Sequence, residues 1–209
     1  MGKKGEDTRS RILDTAQDMI LSMGYAGVSI EQMISRLGMT KGAFFHHFRN
    51  KAELANALIR RFSDEGMTLF NESLERARKY SDDPLQQLMI LIGQYEEIFE
   101  DLTEPYPGCL LASYIYELQQ FNEDTRELIN EEFLLSRREL AKLIKQIMKK
   151  YPPRMNIDPI SLADGFMSVF EGAFILSKSL NEPDVTIKQL RHYKSYLKLL
   201  FDPEFRNKE

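Results

Sequence analysis

With one cysteine and three histidines, this 209-residue chain has little of the material from which disulfide scaffolds and metal centres are made. The lone Cys109 excludes an internal disulfide framework and fits a reducing compartment. No group of His, Cys and carboxylates has metal-ligand spacing. His46 and His47 are adjacent and so point about 100° apart on a helix, whereas ligand pairs favour i, i+4. Gly-x-Ser-x-Gly, His-Glu-x-x-His and the Gly-rich phosphate loop ending in Gly-Lys-Ser/Thr are all absent. An enzyme is therefore not expected, nor a metal or cofactor. No apolar run approaches the ~18 residues of a membrane span. The N-terminal Met-Gly-Lys-Lys-Gly-Glu-Asp has no apolar stretch behind its lysines, so no secretory signal is read there. The expectation is a cytoplasmic protein with no membrane partner.

Strand patterns and internal repeats are missing too, and helical periodicity runs through nearly the whole chain. Ile12, Leu13, Ala16, Met19, Ile20 and Met23 recur at the spacing of one buried helix face, with Asp7 or Thr8 as a cap and Gly24 as the stop. Ser29 with Gln32 forms a capping box for a second helix over about 29–36. Gly38 supplies the positive φ of a sharp turn, and Thr40 caps a short third helix over 40–47. From Asn50 a fourth helix runs without proline to about Tyr80. A further helix is predicted from near Pro84, carrying Leu88, Leu91, Ile92, Tyr95, Ile98 and Phe99, and others near 109–120, 124–150, 158–179 and 186–201, divided by Asn/Asp, Tyr-Pro-Pro and Asn-Glu-Pro breaks. The fold class is all-α.

Charge is divided unevenly. Residues 1–62 carry 10 Lys/Arg against 6 Asp/Glu, and the remainder carries 18 against 26. A basic head on an acidic body suggests that only the head meets a polyanion. Residues 29–51 have the form such a head requires: two short helices broken by a tight turn, the second polar, cationic and aromatic at its start. A helix-turn-helix lays its second helix in the major groove of double-stranded DNA. Gly42 and Ala43 are small enough for close backbone approach. Lys41 reaches a guanine edge or a phosphate. Ser29 and Thr40 stand at helix N-termini, where a phosphate oxygen is favoured. His46 and His47 donate to phosphates, and Lys51 clamps the strand from the next helix. Phe44 and Phe48 are read as core.

Gly24-Tyr25, Ser29, Ile34, the run Leu37-Gly38-Met39-Thr40-Lys41-Gly42-Ala43-Phe44-Phe45-His46-His47-Phe48 and then Lys51-Ala52-Glu53-Leu54 resemble the N-terminal domain of the TetR family of bacterial regulators over about residues 8–55. The resemblance implies an all-helical homodimer of nine or so helices. Three of them bind DNA, the fourth transmits a signal, later ones enclose an effector pocket and the last two form a four-helix dimer interface. By position, Ser29, Thr40, Lys41, Gly42, Phe45, His46, His47 and Lys51 match the DNA-contacting residues. Phe45 departs from the family's usual Tyr, whose hydroxyl bonds a phosphate, and is left with packing or a thymine methyl. The division expected is 1–52 for DNA binding and 53–209 for effector binding and dimerisation, with the helix from about 51 to 80 as connector.

The effector side is less legible. Met89, Ile92, Tyr95, Phe99, Tyr114, Phe121, Phe166, Phe170 and Phe174 are candidate pocket walls with few charges, which points to a small, largely apolar organic molecule. At helical spacing the same residues also read as plain core. Cys109 joins the set as an electrophile or redox sensor if a helix N-terminus activates its thiol; otherwise it is a small buried apolar residue. The segment 158–179 is apolar on most sides, and 186–201 carries a narrower stripe. Phe166, Val169, Ala173, Leu176, Leu190, Tyr193, Leu197 and Leu200 are the candidate dimer interface. The functional expectation is a repressor released from a palindromic operator by its effector. The alternatives are an electrophile-sensing repressor acting through Cys109 and a helical dimeric adaptor without DNA binding.

Overall fold

The structure, a computed structural model, describes residues 3–201. Met1 and Gly2, the start of the run read as lacking a secretory signal, lie outside them. The described residues form nine α-helices, one 3-10 turn and no strand. These are α1 (Lys3–Met23), α2 (Ile30–Leu37), α3 (Lys41–His47), α4 (Lys51–Tyr80), α5 (Pro84–Glu100), α6 (Leu110–Ile115), α7 (Glu123–Lys150), α8 (Pro159–Leu180) and α9 (Val185–Phe201), with the 3-10 turn Leu118–Gln120 after α6.

Two predicted segments change. The first helix begins at Lys3, so Asp7 and Thr8 lie inside it rather than capping it. The helix expected over 109–120 is six residues of α6 and a separate 3-10 turn. Cys109 is the half-buried N-cap of that short helix and makes no side-chain cap bond. A helix of six residues carries little of the macrodipole that was to activate the thiol.

Two compact units emerge. The first comprises residues 1–65 and 107–132, the second 66–106 and 133–209. The first unit is therefore wider than the helix-turn-helix. It takes in the start of α4, all of α6 and the start of α7. Its core contains Ile12, Ala16, Ile20, Met33, Phe44, Phe48, Leu54 and Leu58, each at most 1% exposed. In the first turn of α7, the Thr125 hydroxyl lies 2.7 Å from the side-chain oxygens of both Asn56 and Asn122.

The second unit is built around α5, the later part of α7, α8 and α9. Leu88, Leu91, Ile92, Ile144, Ile147, Leu190 and Leu197 fill its core. Asp83 caps α5, accepting from the backbone N–H of Leu85 and Gln86 at 2.9 Å. Its other oxygen accepts from Lys150 Nζ at 2.6 Å and from the Tyr151 hydroxyl. Burial opposes the charge, but the bonds from Lys150, Tyr151 and Gln86 outweigh it and hold the carboxyl at about 2, down from 3.8. A depressed acid contributes stability that is complete above its unfolded pKa and vanishes as pH falls through the folded one. Asp83→Asn is expected to destabilise the protein at pH 7 and to flatten its loss of stability between about pH 4 and pH 2, measured by urea unfolding at each pH.

Two features of α8 bear on the sequence reading. By length and composition Pro159–Leu180 is apolar enough to cross a membrane, the one such helix among the described residues. Glu171 sits mid-helix, with Asp164 and Lys178 nearer the ends, so no uncharged run in α8 is as long as a span. The helix is also not buried on most sides within the chain. Leu162, Ala163, Ala173, Phe174 and Ser177 are buried, while Ile160, Ile175, Leu176 and Leu180 are 42–58% exposed. An ion pair from Arg137 to Asp164 at 2.7 Å ties the first half of α8 to α7.

Candidate nucleic-acid interface

The α2–turn–α3 element is specified by three short-range devices. Ser29 Oγ accepts from Gln32 N–H at 3.2 Å while Gln32 Oε1 accepts from Ser29 N–H at 2.7 Å, closing the capping box. Gly38 ends α2 at φ 62°, a left-handed conformation in which a Cβ is penalised. Thr40 Oγ1 then accepts from Ala43 N–H at 3.2 Å to start α3. Each device satisfies backbone groups that a helix end leaves without partners.

Packing decides which face of α3 remains free. Phe44 is 0% and Phe48 1% exposed, and their rings lie 6.2 Å apart. That anchors one side of α3 in the first unit's core. Thr40, Lys41, Gly42, Ala43, Phe45 and His46 are left exposed. Ser29 and His47 are half-buried. Burial, then the neighbouring His46 and Arg9 charges, push His47 below the usual histidine range. Its Nδ1 is buried without a hydrogen-bond partner. Arg9 stands 4.9 Å from the centre of the Phe48 ring.

Lys41 and Phe45 form a pair on the exposed face, with Nζ 5.9 Å from the ring centre. Lys41 Nζ also lies 3.4 Å from Glu31 Oε1, and both side chains are about 70% exposed. So open a pair is screened and costs little to break. Lys51 differs from the others. Its ammonium donates to the Tyr25 carbonyl and lies 4.0 Å over the Tyr25 ring. Burial pushes its pKa down, against an upward pull from Glu117. The sequence reading missed Glu31 and Arg9, because both pairings cross helices and follow no local spacing.

The candidate effector residues fall into two groups. Tyr95, Phe99, Phe166, Phe170 and Phe174 form a chain of edge-on rings in the second unit, with centroids 5.2–6.3 Å apart. Tyr106 closes on Phe174 at 4.9 Å, and Met89 and Ile92 are buried in the same core cluster. Burial raises Tyr95 to about 12, so its phenol is neutral at physiological pH. Tyr114 and Phe121 are not part of this group; they pack on Tyr25 in the first unit.

The candidate dimer residues divide by burial. Ala173, Leu190, Tyr193, Leu197 and Leu200 are 0–6% exposed, so the stripe on α9 is used up inside the chain. The Tyr193 hydroxyl donates to the Leu162 carbonyl at 2.9 Å, completing that packing. Leu176 remains 48% exposed, and Phe166 and Val169 are half-buried.

A short capped helix that anchors two phenylalanines and presents Lys41, Gly42 and Phe45 outward matches a described domain. Residues 12–58 fit the family model "Bacterial regulatory proteins, tetR family". Residues 12–58 are a TetR-family DNA-binding domain. A chain that carries it is a DNA-binding transcriptional regulator. The transcriptional regulator AcuR of Cereibacter sphaeroides is 28% identical over 162 residues, covering 77% of this chain and 72% of AcuR. The transcriptional repressor DhaR of Mycobacterium sp. strain GP1 is 22% identical over 170 residues, covering 81% of this chain and 82% of DhaR. Among solved structures, AibR in complex with isovaleryl coenzyme A and operator DNA superposes with a TM-score of 0.68 at 20% identity, covering 93% of this chain and 98% of AibR. That last likeness concerns the fold.

Proposed function

We propose that this chain is a cytoplasmic TetR-family repressor that binds a palindromic operator as a homodimer and is released by a small, largely apolar molecule. The observation that carries the reading is the division of α3. Phe44 and Phe48 hold it in the core while Lys41, Gly42, Phe45 and His46 face outward. In this reading Lys41 meets a guanine edge or phosphate. Gly42 admits the DNA backbone, and Phe45 makes apolar contact where the family's Tyr would donate. Ser29 and Thr40 offer helix N-termini to phosphates. His46 and His47 flank them, and Lys51 adds charge at the start of α4. Helices within 1–52 do the binding, and 53–209 serve the effector and the partner copy.

The dimer is supported by the apolar surface that α8 leaves uncovered at Ile160, Ile175, Leu176 and Leu180. An exposed apolar patch of that kind favours burial against a second copy. The effector is supported by the ring cluster around Tyr95 and Phe170, which offers apolar walls and the Tyr95 phenol for a hydrogen bond.

Selection of duplexes from a random pool by the wild-type protein tests the reading. The expected product is an inverted repeat with half-sites about one helical turn, ~34 Å, apart. Affinity for it should fall steeply with salt, and the free protein should sediment as a dimer. Selection of no duplex, or of an unrepeated site by a monomer, would overturn it.

A further inference from the structure

The turn that leads into the DNA-binding helices is held from outside them. Glu117 reaches it from the stretch between α6 and the 3-10 turn. Its Oε1 accepts from Tyr25 N–H at 2.6 Å and its Oε2 from Ala26 N–H at 2.7 Å. Two oxygens of one carboxylate thus take two successive backbone donors, a charge-assisted pair of bonds that no neutral side chain reproduces. The other side of Tyr25 is held as well, since its carbonyl accepts from Lys51 Nζ. The Tyr25 ring is packed against Phe121 at 4.4 Å and Tyr114 at 5.5 Å, the residues that bracket Glu117 in the chain. Gly24 makes this approach possible. It has φ 77°, and a Cβ there would lie 2.7 Å from Glu117 Oε1.

Ala26 is three residues before the Ser29 cap, so the grip fixes where α2 begins and hence the entry to the helix-turn-helix. We propose that Glu117 is a positioning residue for operator binding: it touches no DNA but holds the α1–α2 turn in the conformation that presents α2 and α3. The inference rests on the DNA-binding reading of those helices. If the turn is competent for only a fraction of the time, apparent affinity falls to that fraction of its intrinsic value.

Charge alone predicts the opposite sign. Removing a negative charge from a protein that binds a polyanion strengthens binding. Glu117→Gln keeps the side chain's size, retains one acceptor and sets an NH2 group against the second N–H. Its affinity for the duplex selected by the wild type is expected to fall roughly tenfold, the effect of a competent fraction near one in ten. The salt slope should be unchanged, because no phosphate contact is removed. Hydrogen exchange at the Tyr25 and Ala26 amides should speed up while exchange in the α5 and α9 core does not. Glu117→Ala should give the same pattern in all three readouts, and Glu117→Gln still decides the matter if Glu117→Ala fails to fold. Wild-type binding, or tighter binding, by Glu117→Gln overturns this inference alone. Wild-type protein that selects no duplex overturns the DNA-binding reading and this inference together.

Discussion

Lys41→Ala is expected to weaken operator binding by about 1–3 kcal/mol, roughly 5- to 150-fold, if the ammonium reads a guanine edge. Lys41 is well placed for such an effect. It opens α3, its side chain is 68% exposed, and its one ion pair, to Glu31, is too open to hold it back. Beyond its chain neighbours and its own helix backbone, Gly42 has no described heavy atom within 4 Å of where its Cβ would stand, so the space beside the lysine is open. Mobility shifts at several salt concentrations separate two roles. Loss of specificity at one base pair, with an unchanged salt slope, marks base readout. Uniform weakening over all sequences, with the slope reduced by about 1, marks a phosphate contact. No change in either measure would remove Lys41 from the interface.

Phe44→Ala is expected to cost about 3–5 kcal/mol of stability in the first unit and to abolish DNA binding with it. Phe44 is 0% exposed, and its ring meets Phe45 at 5.6 Å and Phe48 at 6.2 Å. It is the main anchor of a seven-residue helix, too short to be stable in water without tertiary packing. Truncation leaves a cavity the size of a ring and nothing else to hold α3 down. Urea unfolding should show the loss, and hydrogen exchange should place it in α1–α3 and not in α5 or α9. A cost below about 1 kcal/mol would mean that α3 is held by its caps and not by its buried face.

How much of this was readable beforehand depended on the range of the interaction. The box at Ser29 and Gln32, the positive φ of Gly38, the cap at Thr40 and the burial of Phe44 and Phe48 are local matters of spacing, and the predicted elements agree with the structure to within a residue or two there. The same holds for Asp158 and Pro159 at the start of α8. The site was less legible where partners lie far apart in the chain. The Glu31–Lys41 pair spans 10 residues, and the Glu117 bonds to Tyr25 and Ala26 span 92 and 91.

Periodicity failed where it had to decide which apolar faces the chain itself covers. An apolar stripe shows that a face is to be buried, not what buries it. The α9 stripe of Leu190, Tyr193, Leu197 and Leu200, expected at a partner, is packed inside the chain, whereas α8 keeps Ile175 and Leu176 exposed. Likewise Tyr114 and Phe121 have the composition of an effector wall, yet they pack on Tyr25.

The helical character of the chain, its caps and the outward face of its DNA-binding helix were thus determined by the sequence alone, because backbone hydrogen bonding and i to i+4 spacing are local. The tertiary structure decided that residues 107–132 join the first unit and that Glu117 grips the turn at Gly24 and Tyr25. It also decided which stripes remain for a partner. Those outcomes turn on which distant surfaces fit together, and one-dimensional spacing carries no information about that fit.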